Sequence, residues 1–180
     1  MLVLGDSISA GYGIDVEKGW VNLLKQKLSG DVSVINGSIS GDTTEGGLSR
    51  LPALLESYQP DYVLIALGGN DGLRGYPLNL VRQNLKSMIE LCRNHSAEPI
   101  LLGMKIPANY GKRYTDEFAG LYPRVARESG TQLVPFSFES FFTQEGMIQS
   151  DGIHPTEAAQ PIILNKVFEV LEDYIHPSPG

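Results

Sequence analysis

Five short apolar runs punctuate the chain, and longer stretches whose apolar residues recur at helical spacing separate them. The runs are Leu2-Val3-Leu4, Val32-Ser33-Val34-Ile35-Asn36, Asp61 to Leu67, Pro99 to Met104, and Gln132-Leu133-Val134-Pro135. The third is apolar at nearly every position, as a central parallel strand covered on both faces requires. Helical spacing predicts helices over residues 20–28, about 43–58, 78–94, 114–129 and 156–174. Gly30 closes the first, and Pro52 marks a kink or a break in the second. Residues 136–142, with four phenylalanines, read as irregular, and the tail 176–180, with two prolines, as frayed. Strands and helices alternate without linker, repeat or low-complexity segment, so the expectation is one domain over residues 1–180. Its fold class is α/β: a three-layer α/β/α, doubly wound parallel sheet of about five strands in the flavodoxin-like order 2-1-3-4-5.

Composition narrows the function classes. A net charge of -7 over 180 residues, with no Lys/Arg cluster, argues against binding nucleic acid, because neutralising phosphates needs a basic surface. The single cysteine, Cys92, excludes an internal disulfide and any multi-cysteine metal site. It lies in an apolar helical stretch and reads as a buried, inert thiol. No run approaches the ~20 apolar residues of a membrane span. The chain opens directly on a core strand with no signal peptide ahead of it. A leader removed before Met1 would leave the same opening, so location is not read from this end.

Polar residues stand where the predicted strands stop, which is where open α/β sheets bind ligands. Gly5-Asp6-Ser7 breaks the first run and Gly68-Gly69-Asn70-Asp71-Gly72 ends the third as a glycine-rich turn. Ser7 is either the cap of the next helix or a nucleophile. A serine nucleophile needs a histidine, and the sequence has three. His95 suits a helix C-terminus and His176 lies in the tail. His154 follows Asp151 by three residues, a spacing that either caps a helix or folds a carboxylate onto an imidazole. Asp6 and Asp71 remain alternative acids. An oxyanion would find donors in the Ser7 N–H, the Gly41 N–H and the Asn70 amide, although Gly41 and Asn70 also suit ordinary turns.

The blocks Gly5-Asp6-Ser7, Ser38-Ile39-Ser40-Gly41-Asp42, Gly68-Gly69-Asn70-Asp71 and Asp151-Gly152-Ile153-His154-Pro155, in that order, resemble the SGNH (GDSL) hydrolases over essentially the whole chain. Together with Leu73-Arg74-Gly75 and Pro107-Ala108-Asn109-Tyr110-Gly111 they are closest to the bacterial thioesterase I, lysophospholipase L1 and arylesterase group. The resemblance implies Ser7 as nucleophile, His154 as base, Asp151 as its acid, and Ser7, Gly41 and Asn70 as the oxyanion hole. It further implies an acyl groove lined by Gly69, Leu73, Ile106, Pro107, Ala108, Asn109 and Tyr110, whose apolar members would otherwise pack under their own loops. The expected activity is hydrolysis of carboxylic esters and thioesters: aryl esters, short to medium acyl esters, acyl-CoA or lysophospholipids. No metal or organic cofactor is needed. The partner is the small-molecule acyl substrate of a monomer, and a periplasmic or secreted location follows from the resemblance, with the cytoplasm as the alternative. Two rival readings are a carbohydrate-acetyl esterase on the same fold and a non-catalytic flavodoxin-like binding module. The sequence has no phosphate-loop or dinucleotide fingerprint to favour the second.

Overall fold

A computed structural model describes residues 1–28, 30, 32–135 and 144–175. The phenylalanine-rich stretch 136–142 and the tail with His176 lie outside the described residues. Five parallel strands form one sheet: β1 (Leu2–Gly5), β2 (Ile35–Asn36), β3 (Tyr62–Ala66), β4 (Glu98–Leu102) and β5 (Gln132–Val134). Their spatial order is β2-β1-β3-β4-β5, the expected one. β1 and β3 lie side by side with Leu2 opposite Val63 and Gly5 opposite Ala66. Both are sealed: Leu2, Val3, Leu4, Val63, Leu64, Ile65 and Ala66 are fully buried. That is why these runs are apolar at successive rather than alternate positions.

The long helices are α2 (Trp20–Lys27), α3 (Thr44–Tyr58), α5 (Leu78–Asn94), α6 (Lys112–Ser129) and α7 (Gln160–Ile175). α2 packs on α7, while α3, α5 and α6 pack side by side, giving a helical layer on each side of the sheet. In α5 the buried residues Val81, Leu85, Met88, Ile89 and Cys92 keep the helical period that predicted it. Pro52 neither ends nor divides α3, because the buried neighbours Leu51 and Leu55 offset the one hydrogen bond that proline removes. Pro123 sits inside α6 in the same way, flanked by buried Tyr122 and Val125.

Two short helices stand where turns were expected. α1 (Ser7–Ala10) starts directly on β1, and α4 (Gly69–Leu73) starts directly on β3. Gly68 makes the second turn possible. Its φ is +112°, and a Cβ there would lie 2.1 Å from the Tyr122 hydroxyl, which donates to the Leu67 carbonyl at 2.9 Å. The second predicted strand is shorter than its apolar run, yet its pairing outlasts it. Gly37 and Ile39 N–H groups donate to the Val3 and Gly5 carbonyls, carrying the chain beside β1 toward Gly41.

Candidate active site

Ser7 is the first residue of α1, so its N–H belongs to the turn in which a helix offers no internal acceptor. The cap of that helix is Asp6, not Ser7: Asp6 Oδ1 accepts the Ile8 N–H at 3.1 Å. The Ser7 hydroxyl is thereby released from capping, and it meets His154 Nε2 at 2.9 Å across 147 residues of sequence. His154 Nδ1 lies 2.6 Å from Asp151 Oδ2. A carboxylate only accepts, so Nδ1 carries the proton and Nε2 turns its lone pair to Ser7.

The turn that carries the histidine is built to hold the carboxylate. Asp151 Oδ1 accepts the N–H groups of Ile153 and His154 at 2.9 and 3.0 Å. These bonds, that of the His154 backbone first and the imidazole next, hold the Asp151 carboxyl down at about 2. Gln149 fixes the turn to the rest of the site. Its N–H donates to the His154 carbonyl at 2.8 Å, and its side-chain amide donates to the carbonyls of Tyr12 and Pro155 at 2.8 and 2.9 Å. The Tyr12 ring lies 4.5 Å from the imidazole, centroid to centroid.

Asn70, on α4, donates its amide to the Asp42 carbonyl at 2.9 Å and reaches Asp6 Oδ2 at 3.5 Å. Gly41 has φ +79°, and Arg74 Nη2 donates to its carbonyl at 3.1 Å. The loop bearing Gly41 is tied to α4 from below: Asp71, itself buried, accepts the Thr44 N–H and hydroxyl at 2.9 and 2.6 Å. Asp71 is thus committed to Thr44 and Asp6 to α1, so neither alternative acid bonds His154. Burial pushes the Asp6 carboxyl up to about 6.

Of the groove residues, Gly69 opens α4 beside Asp6, and Leu73 ends it half-buried. Ile106 is buried in the core, packed toward Gly72 of α4. Pro107 is half-buried, Asn109 and Tyr110 are exposed, and Ala108 falls in a short 3-10 turn, its side chain outside the described residues. His95 caps the end of α5, Nδ1 to the Leu91 carbonyl at 2.9 Å. Among the described residues no three His, Cys, Asp or Glu side chains converge as a metal site requires. Gln149 and Tyr12 left no local signal in the sequence, since each meets His154 and its turn through tertiary approach.

Over residues 3–161 the sequence matches the GDSL-like Lipase/Acylhydrolase family. It is 47% identical to an arylesterase of Vibrio mimicus, over 97% of this chain and 89% of the relative. It is 43% identical to the thioesterase 1/protease 1/lysophospholipase L1 of Escherichia coli strain K12, over 98% of this chain and 85% of the relative. The crystal structure of the psychrotrophic esterase EstA from Pseudoalteromonas sp., inhibited by monoethylphosphonate, superposes with a TM-score of 0.92 at 38% identity, covering 97% of each chain. A match that runs from the first strand into the last helix, with relatives alike over most of their own length, makes this chain a member of the GDSL-like lipase/acylhydrolase family.

Proposed function

We propose that the protein hydrolyses carboxylic esters and thioesters through an acyl-serine at Ser7, as its arylesterase and thioesterase relatives suggest. The observation that carries the reading is the unbroken relay from Ser7 Oγ through His154 to Asp151, at 2.9 and 2.6 Å. His154 Nε2 takes the Ser7 proton as Oγ attacks the acyl carbon. The carbonyl oxygen becomes an oxyanion received by the Ser7 N–H, the Gly41 N–H and the Asn70 amide, whose proton on the Asp6 side is held only by a long 3.5 Å contact. The bond to the alcohol, phenol or thiol then breaks, and that group leaves with the proton from His154. Water repeats the sequence against the acyl-serine and frees the acid. Asp151 keeps the imidazole in the working tautomer and balances its charge while it is protonated. Leu73, Pro107 and Tyr110 border the acyl or aryl group.

The substrate range in this reading is aryl esters, short to medium acyl esters, acyl-CoA and lysophospholipids. A monomer suffices, because one chain supplies every group. An exported location belongs to the same proposal and rests on the family resemblance. The test is intact-protein mass after exposure to a fluorophosphonate, with peptide mapping and Ser7→Ala as control. A single adduct on Ser7, lost in the variant together with p-nitrophenyl ester hydrolysis, is the expected result. A folded protein that takes no adduct and turns over no ester or thioester would leave the binding-module reading in its place. Faster turnover of acetylated sugars than of acyl or aryl esters would favour the carbohydrate-acetyl esterase.

A further inference from the structure

One side chain outside the relay touches three of the segments that must meet for it to work. Arg50 rises from α3 and spreads its guanidinium beneath the carboxyl ends of β1 and β2. Nε donates to Asp42 Oδ2 at 2.8 Å, Nη2 to the Gly5 carbonyl at 3.3 Å, and Nη1 to the Gly37 carbonyl. Gly5 is the last residue of β1, two before Ser7. Gly37 follows the last residue of β2. Asp42 follows Gly41, and its own carbonyl is the acceptor that holds the Asn70 amide at 2.9 Å.

We infer that Arg50 is a positioning residue for the oxyanion site, its guanidinium holding the Gly41–Asp42 segment in register with the end of β1 that carries Ser7. This rests on the reading of Gly41 and Asn70 as oxyanion donors. The second oxygen of Asp42 accepts the Thr43 N–H at 3.0 Å, so the carboxylate is locked at both ends: to its own backbone and to Arg50. The side chains of Arg50 and Asp42 are only 21% and 10% exposed, which limits the water available to replace these bonds. The task suits arginine specifically. A rigid planar fork reaches acceptors in three directions, whereas a lysine ammonium is a compact point charge that can satisfy Asp42 but does not reproduce the fork. An oxyanion donor works only if it is already aimed before charge develops, so a loosened Asp42 would be felt in the transition state more than in substrate binding.

The experiment compares Arg50→Lys, Arg50→Gln and Asp42→Asn with the unaltered protein, at a temperature where each has a native circular-dichroism spectrum. The readouts are kcat and KM for aryl-ester hydrolysis and the rate of fluorophosphonate labelling at Ser7. The expected result for Arg50→Lys is a fall in kcat of about tenfold or more, short of the ~100- to 1,000-fold cost of deleting a donor outright. KM should stay within about twofold, and labelling should slow in parallel. Arg50→Gln should lose at least as much. Asp42→Asn should give the same signature in weaker form, because an asparagine carbonyl can accept from Thr43 or from Arg50 but its amide cannot accept from the other. Wild-type kcat in a folded Arg50 variant, or a raised KM at constant kcat, would overturn the proposal. Should neither Arg50 variant fold, Asp42→Asn decides it, and wild-type kcat there overturns it. An unaltered protein that neither hydrolyses esters nor takes the adduct would instead bring down the hydrolase reading, and this inference with it.

Discussion

In the proposed mechanism, without the Ser7 hydroxyl at 2.9 Å His154 Nε2 has nothing to deprotonate. Take the imidazole away and Ser7 keeps an ordinary alcohol pKa, far too high for a nucleophile at neutral pH. Ser7→Ala and His154→Ala are therefore each expected to lower kcat by about 10^4-fold or more, with folding unchanged, as measured on p-nitrophenyl esters. Asp151→Asn should cost less than either, since the His154 base itself survives while its tautomer and charge balance are lost. Asp6→Asn should cost less again; an equal loss would return Asp6 as the acid. At this scale the sequence was readable where one small turn holds both partners. Asp151 and His154 are three residues apart, and the turn between them folds the carboxylate back onto the ring. It was unreadable at Asp6 and Asp71, which carry the same chemistry but are occupied by Ile8 and Thr44. Nothing in the residue type tells an engaged carboxylate from a free one.

Among the elements, α1 decides the most. A helix after Ser7 was among the readings of the sequence, but its cap is Asp6 and not Ser7, and its four residues end at Ala10 before the left-handed Gly11. Asp6 supports it as the cap while buried, and burial sets its pH response. Its carboxyl is raised to about 6 in the fold against ~3.9 for an unperturbed aspartate, so the folded state holds this proton more tightly than the unfolded one. Stability owed to Asp6 is therefore full below about pH 4 and lost as pH rises toward about 6. Asparagine caps equally well and does not titrate. Urea-unfolding midpoints of Asp6→Asn, set against the unaltered protein from pH 4 to 7, should thus close or reverse the gap as pH rises, and a pH-independent gap would refute the assignment. The long helices were legible because burial on one face imposes a period of 3.6. α4 was not, being a single turn whose start depends on Gly68 and on a tyrosine hydroxyl from α6.

Across the whole molecule, the sheet and its two helical layers share one continuous core, and Cys92 lies within it. Burial pushes its thiol up to about 12, so native protein should hold neither the exposure nor the thiolate that a disulfide reagent requires. Labelling of Cys92 by such a reagent is expected to follow unfolding in urea rather than precede it. A fast reaction without denaturant would mean that α5 opens locally. The apolar runs and their spacing were enough to give five strands, the helices between them and the order of the sheet, because burial writes a local period into the chain and right-handed connections leave few ways to wind it. The motif blocks, met in order, were enough to give the family and to gather Ser7, Asn70 and His154 at one end of the sheet. Folding alone settled which side chains meet there. The partner of Ser7 is 147 residues away, and Arg50 reaches back 45 residues to Gly5. Such contacts have no period, since a polar side chain's partner is fixed by the approach of distant segments and not by its neighbours in sequence. For the same reason Ile106, apolar in a loop beside the site, went to the core when Gly72 left room for it.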